Sequence, residues 1–206
     1  MAGLLDLLNS DLGKTLVSSA SQQLGQNSGK TTSALTTALP LLLGAMKNNA
    51  SSSEGAQGLL SALSGKHDGS ILDNLSGAVS NQDVLKDGAG ILGHLFNGKE
   101  QNIAQAVGSK SGIDAGSAMN LLKMAAPVIM GYLGKQTRQQ NVTDGNGIGN
   151  LLGGMLGGSG QTEQGLVTKL LDADGDGSVI DDIIGMAAGG KKGGLGGLLG
   201  GLFGGK

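Results

Sequence analysis

Apolar side chains recur along most of this chain at the spacing of an α-helix. Leu4, Leu5, Leu8 and Leu12 form such a stripe at the start of the sequence, and this stripe predicts a helix. Val and Ile are scattered singly and never alternate with polar residues over the length of a strand. The pattern therefore predicts an all-α protein, a multi-helical bundle, and it predicts no strand.

Polar residues at fixed offsets predict where several helices begin and end. Residues 51–54 read Ser-Ser-Ser-Glu, the pattern of a capping box, directly before an apolar helical stretch. Asn81 or Ser80 is suited to cap the start of the next apolar helix. Asn97 and Gly98 follow its last apolar residue and predict its end.

Two apolar segments resemble each other and predict an internal duplication. Residues 34–44 read ALTTALPLLLG and residues 121–131 read LLKMAAPVIMG. The matching positions are Pro40 with Pro127, Gly44 with Gly131, and Gly25 with Gly112. A proline within a helix removes a hydrogen bond, so each unit is predicted to contain a central helix kinked at its proline. The alternative is chance similarity between two buried helices in a chain rich in Leu, Ala and Gly.

Composition excludes several classes of function. The formal net charge of this 206-residue chain is −2, and its longest basic run is Lys191-Lys192, so it lacks the basic stripe expected of a nucleic-acid-binding protein. Cysteine and tryptophan are absent, which excludes disulfides and thiolate chemistry. The chain lacks the motifs of a serine-hydrolase nucleophile elbow and of a phosphate-binding loop. His67 and His94 are interpreted as packed or surface residues, and we expect a non-enzymatic protein.

Nothing at the N-terminus resembles a secretory signal peptide, because it lacks both a basic segment and a long apolar segment. The longest apolar runs reach about half of the ~20 residues that span a bilayer. A cytoplasmic location is therefore the default expectation.

Glycine content divides the chain into regions. The chain has 41 glycines, and they are concentrated after residue 140. We predict a duplicated helical core over residues 1–140, a Gly-rich linker over 141–160, a calcium-type helix–loop–helix over 161–189, and a Gly/Leu-rich tail over 190–206.

A cluster of five aspartates within residues 170–185, LLDADGDGSVIDDIIG, predicts a metal site. An EF-hand loop needs oxygen ligands at positions 1, 3 and 5, a Gly at 6, a carbonyl at 7 and an acid at 12. The corresponding ligands here are Asp172, Asp174 and Asp176, the carbonyl of Ser178, and Asp182 as the closing acid. Asp182 lies one residue early, because Ile183 occupies position 12. The loop is therefore predicted to be EF-hand-like and to bind calcium with modest affinity.

The competing interpretation of this cluster is a solvated acidic turn. In that case Asp181 and Asp182 cap the following helix and the earlier aspartates bind nothing. A calcium site with the ~10⁻⁴–10⁻³ M affinity of extracellular modules would be empty in the cytosol. Export by a route that needs no signal peptide is then an alternative location.

The sequence resembles a bacterial family called domain of unknown function 937, which includes YidB-like proteins. The resemblance lies in the LLDLL start, ALPLLLGAM at 38–46, APVIMGYLG at 126–134 and the acidic loop at 171–185. It covers most of residues 1–188 and implies an all-helical fold. It implies no activity, because the function of the family is not established.

The Gly/Leu-rich tail carries an apolar stripe. Leu and Phe recur among glycines at the spacing of a helical stripe, at Leu195, Leu198, Leu199, Leu202 and Phe203. This stripe is either a flexible end without a role or a docking segment for a second copy or another protein. We therefore expect a calcium-binding structural or interaction protein in which calcium orders the C-terminal segment. The alternative is a membrane-surface protein whose tail and Lys191-Lys192 bind anionic lipid.

Overall fold

The computed structural model describes residues 4–157, which form helices joined by short loops and contain no strand. The prediction of an all-α fold is confirmed for this part of the chain. The helices are α1 (Leu4–Asn9), α2 (Asp11–Leu24), α3 (Ser28–Asn49), α4 (Ser53–Ser64), α5 (Leu75–Val79), α6 (Gln82–Phe96), α7 (Glu100–Ser111), α8 (Ala115–Gln139) and α9 (Gly145–Gly157), with a 3₁₀ turn (Ser70–Asn74) before α5.

Two long helices, α3 and α8, form the centre of the bundle. Leu41, Leu42 and Leu43 are consecutive residues of α3 and all are buried, so apolar neighbours surround this helix on every side. Residues 124–131 of α8 are likewise buried without interruption. Helices α6 and α7 pack on α8, while α7 and α9 pack on α3. The two central helices also contact each other.

Short polar side chains begin most of the helices, and several of the predicted boundaries are confirmed. Asn81 caps α6 by accepting a hydrogen bond from the backbone N–H of Asp83 at 2.8 Å. Asn97 ends α6 in the left-handed conformation, with φ 48°. The capping residue of α4 is Ser52, whose hydroxyl accepts from the backbone N–H of Gly55 at 3.0 Å. That position is one residue later than the capping-box pattern indicates.

The two segments with similar sequences have similar local structures. Both α3 and α8 run continuously through their prolines, Pro40 and Pro127. The helix before each one ends at a left-handed glycine, Gly25 with φ 61° and Gly112 with φ 72°. Each central helix then begins after a side-chain cap, Asn27 or Asp114. The spacing is the same within all these pairs, and a common origin of the two units stays a prediction.

Much of the predicted Gly-rich linker is helical. Helix α9 (Gly145–Gly157) contains several glycines, which weaken an isolated helix. Its apolar residues Ile148, Leu151, Leu152 and Met155 are buried, and the helix contacts α3 and α4. Burial of this face stabilises α9, because most helical stability in proteins comes from tertiary packing rather than from propensity.

None of the helices described between residues 4 and 157 combines the length and the hydropathy that crossing a membrane requires.

Candidate functional site

The residues predicted to bind calcium lie outside the part of the chain that the structure describes. These are Asp172, Asp174, Asp176, Ser178 and Asp182. Within residues 4–157, no group of three or more His, Asp and Glu side chains is arranged to hold a metal ion. The metal prediction therefore continues to rest on its sequence pattern.

Five charged or titratable residues gather around one loop of the described bundle. The loop spans residues 65–69, between α4 and the 3₁₀ turn, and carries Lys66, His67 and Asp68. Asp87 of α6 faces it from one helix and Arg138 of α8 from another. We call these five residues the His67 cluster. It joins three segments that are far apart in the sequence.

Close backbone contacts hold this loop against α4 and α8. The backbone N–H of His67 donates to the carbonyl of Ala62, in the last turn of α4, at 3.0 Å. The carbonyl of His67 lies against Gly134, where an added Cβ would come within 1.9 Å of that oxygen. Gly69 has φ 104°, a left-handed conformation that favours glycine. The approach of the loop to α8 therefore depends on the absence of side chains at these positions.

His67 is the most buried member of the cluster, with 7% of its surface exposed. Burial lowers the pKa of its imidazole below the ordinary value of 6.5. The Asp87 carboxylate opposes this change, and the Lys66 ammonium adds to it. Nε2 of His67 lies 3.6 Å from Oδ2 of Asp87, which is longer than a hydrogen bond. The imidazole is therefore held neutral at pH 7.

The carboxylate of Asp87 has a second cationic neighbour. Nζ of Lys66 lies 2.5 Å from Oδ1 of Asp87. About two thirds of the Lys66 side chain is exposed, whereas 17% of the Asp87 side chain is exposed. Lys66 and His67 thus approach different oxygens of one carboxylate, the lysine from solvent and the histidine from the interior.

Asp68 and Arg138 close the other side of the loop. A guanidinium nitrogen of Arg138 donates to the backbone carbonyl of Asp68, and another lies 3.5 Å from its Oδ2. Hydrogen bonds from the backbone N–H and the hydroxyl of Ser70 lower the pKa of Asp68, and Arg138 lowers it further. Arg138 therefore ties the end of α8 to the loop through both the backbone and the side chain of one residue.

Sequence patterns gave little indication of this cluster. The segment GKHDG resembles a surface turn, and His67 has no other histidine nearby in the sequence. Only the glycines that flank the motif hint at a tightly packed loop. The other histidine, His94, is exposed on α6. A neutral buried imidazole beside a carboxylate can accept a proton, and this is the chemistry that the cluster makes available.

An open groove of about 730 Å³ lies between α1, α2 and the start of α3. It is lined partly by apolar Leu8 and Val17 and partly by Lys14 and Ser21. The hydroxyl of Ser21 is buried and has no hydrogen-bond partner among the described residues. A serine hydroxyl in a helix can reach the carbonyl one turn back after a change of rotamer. The groove is therefore a weaker candidate than the His67 cluster.

Comparison with known proteins identifies the family. Residues 6–136, more than half of the chain, match a family of bacterial proteins of unknown function, DUF937. The chain belongs to the DUF937 family. No match was found among curated proteins or solved structures. In this DUF937 protein the matched segment includes His67 and Asp87 and ends before the acidic loop. Family membership therefore supports neither an activity nor the metal prediction.

Proposed function

We propose that this DUF937 protein is a non-enzymatic calcium-binding structural or interaction protein. The proposal is carried by the alternating Asp172, Asp174 and Asp176, followed directly by Gly177. Alternate positions of a tight turn direct oxygen ligands to one centre. Carboxylates held that close repel one another unless a cation neutralises them. An EF-hand-like helix–loop–helix over residues 161–189 is the corresponding finer proposal for the fold.

Calcium fits this ligand set better than magnesium does. Calcium accepts six to eight oxygen ligands in flexible geometry, whereas magnesium requires a near-ideal octahedron. The carbonyl of Ser178 and the carboxylate of Asp182 complete the proposed set. Because Asp182 is early and is shorter than the usual Glu, water would fill part of the coordination shell. The affinity is therefore expected to be modest.

The surface of the described bundle favours the tail, rather than the core, as the segment that binds partners. Within residues 6–156, no Leu, Ile, Val, Met, Phe or Tyr side chain is fully exposed. This part of the protein therefore presents only partly buried apolar side chains to a partner. The Leu and Phe residues of the Gly-rich tail are the stronger candidates for self-association or partner docking, and calcium would control how they are presented.

The central helices support a related proposal about the origin of the fold. We take α1–α3 and α6–α8 as two copies of one helical unit. The support is the equal spacing of the paired prolines, glycines and caps, such as Pro40 with Pro127 and Asn27 with Asp114.

Sedimentation velocity of the full-length protein tests the calcium proposal. The profile in ~1 mM calcium, a level suited to a weak site, is compared with the profile in chelator. We expect calcium to change the sedimentation coefficient and expect the double variant Asp172→Asn, Asp174→Asn to lose this response. The matched control is Asp73→Asn with Asp83→Asn, which removes the same charge from exposed positions of the bundle. Identical profiles with and without calcium would favour the acidic turn.

A membrane-surface function is the alternative, because Lys191 and Lys192 directly precede the apolar tail. Basic residues beside an apolar segment favour anionic membranes. Flotation with phosphatidylserine vesicles tests it, using the full chain and a variant that lacks residues 190–206. Flotation of the full chain but not of the shortened variant would support lipid recognition. Recovery of both proteins in the fractions that contain no vesicles would reject it.

A further inference from the structure

The 65–69 loop is attached to the bundle at the point where the imidazole of His67 is buried. The side chain of His67 is enclosed, and its backbone carbonyl contacts Gly134 of α8. Ile71, just beyond the loop, covers Gly131, because a Cβ at residue 131 would come within 2.4 Å of the Ile71 side chain. The loop and the 3₁₀ turn together cover a glycine face of α8.

Among the described residues, no carboxylate near His67 is free to pair with a protonated imidazole. From its own loop, Lys66 pairs with Asp87, and Asp68 pairs with Arg138. From α6, Asp87 is the facing group, while Asp83 and Lys86 are highly exposed and lie 3.5 Å apart. From α8, Lys135 packs beside Gly69 through its Cβ. An imidazolium at this position would therefore share one carboxylate with Lys66.

We propose that the 65–69 loop is an acid-released latch, in which protonation of His67 detaches the loop from α8. Placing a charge in this enclosed site costs solvation, and the 3.6 Å separation from Asp87 does not supply a hydrogen bond to offset the cost. Detachment returns the imidazolium to water. It also uncovers Gly134 on α8, against which the carbonyl of His67 packs, so mild acid changes the surface that the bundle presents.

The direction of the pH effect follows from the neutral state of His67. The pKa of His67 in the docked loop lies below its value of 6.5 in an exposed loop. Docking is therefore at full strength above pH 6.5. It weakens as the pH falls from there toward the pKa of the docked form. In acid the equilibrium constant for docking falls by at most about tenfold for each pH unit that separates the two pKa values.

Hydrogen exchange of the full-length protein tests the latch at the backbone N–H of His67, which donates to Ala62 of α4 and belongs to a residue that is enclosed while the loop lies against Gly134. Protection is measured at about pH 7.5 and about pH 5, values that bracket the ordinary titration of His, and is corrected for the intrinsic exchange rate. We expect protection of this amide to fall in acid. The N–H of Asn97, which donates to Gly93 at the end of α6, is the internal reference and should change little.

Two histidine variants separate the latch from general acid sensitivity. We expect His67→Gln to remove the pH dependence, because glutamine does not titrate, and His94→Gln to preserve it. Asp87→Asn is a second variant for the same site. Because the Asp87 carboxylate opposes the effect of burial on His67, its loss should widen the gap between the docked and undocked pKa values and so increase the loss of protection in acid.

The latch is rejected if protection of the His67 amide is equal at the two pH values. It is also rejected if the loss of protection in acid persists in His67→Gln. A third contrary result would be a protonated His67 that displaces Lys66 and pairs with Asp87 while the loop stays docked. NMR titration of the His67 imidazole together with unchanged amide protection would reveal that outcome.

Discussion

Gly88 of α6 lies directly against the backbone carbonyl of Lys123 in α8, so that a Cβ at residue 88 would come within 1.9 Å of the carbonyl oxygen. This carbonyl lies one turn before Pro127, which has no N–H to offer it. The proline that interrupts the hydrogen bonding of α8 therefore coincides with a close approach of α6. Glycine at residue 88 allows the neighbouring backbone to fill the space beside that carbonyl.

Gly88→Ala should lower the free energy of unfolding by about 1–3 kcal/mol, because the added methyl group forces α6 away from α8. Gly90→Ala is the matched control in the same helix. Its Cβ would meet no atom within 4 Å, so alanine should raise stability by about 0.5–1 kcal/mol through its better helix propensity. Urea unfolding monitored by circular dichroism measures both. Equal effects of the two substitutions would contradict the close approach.

The left-handed glycines that end α2 and α7 should be equally sensitive to substitution. Gly25 and Gly112 have φ values of 61° and 72°, and a Cβ at either position would meet no atom within 4 Å. Alanine at either position should therefore lower the free energy of unfolding by roughly 1–2 kcal/mol through backbone strain alone. Asparagine, which tolerates this conformation, should cost less. Thermal unfolding compares the variants, and a much larger loss at one position would weaken the proposed equivalence of the two units.

Asp114 should make the start of α8 sensitive to acid. Its carboxylate accepts hydrogen bonds from the hydroxyl and the backbone N–H of Ser117, and these lower its pKa below 3.8. The stabilisation is therefore present above pH 3.8 and is lost as the pH falls through the lowered pKa. Asp114→Asn keeps a capping oxygen without this titration. The melting temperature of the variant should fall less in acid, and parallel curves for the two proteins would contradict this mechanism.

Helix α9 should contribute to the stability of the core despite its glycines. Leu152 is 0% exposed in the interface with α3 and α4. Leu152→Ala should lower the free energy of unfolding by about 2–5 kcal/mol, as for other buried leucines. Leu156, which is only partly buried in the same helix, is the matched control and should cost clearly less. If neither substitution changes urea unfolding, α9 is not part of the cooperative core.

Local signals predicted the helical parts of this fold well. The caps at Asn81 and Asn97 lie where the sequence indicates, because a short polar side chain or a left-handed residue satisfies helix ends without help from distant residues. The start of α4 differs by one residue, since three consecutive serines offer equivalent capping hydroxyls. The apolar runs around Pro40 and Pro127 predicted the two buried central helices.

The sequence alone determined the all-helical class, the family and the most specific chemical pattern, the alternating aspartates from Asp172 to Asp176. These depend on periodicity and spacing within short segments. Only the tertiary structure decided that α9 packs as a core helix and that His67 meets Asp87 and Arg138. The physical reason is that burial and charge pairing arise between segments distant in sequence. A glycine that permits such an approach, as at Gly134, looks the same in the sequence as a glycine in an open turn.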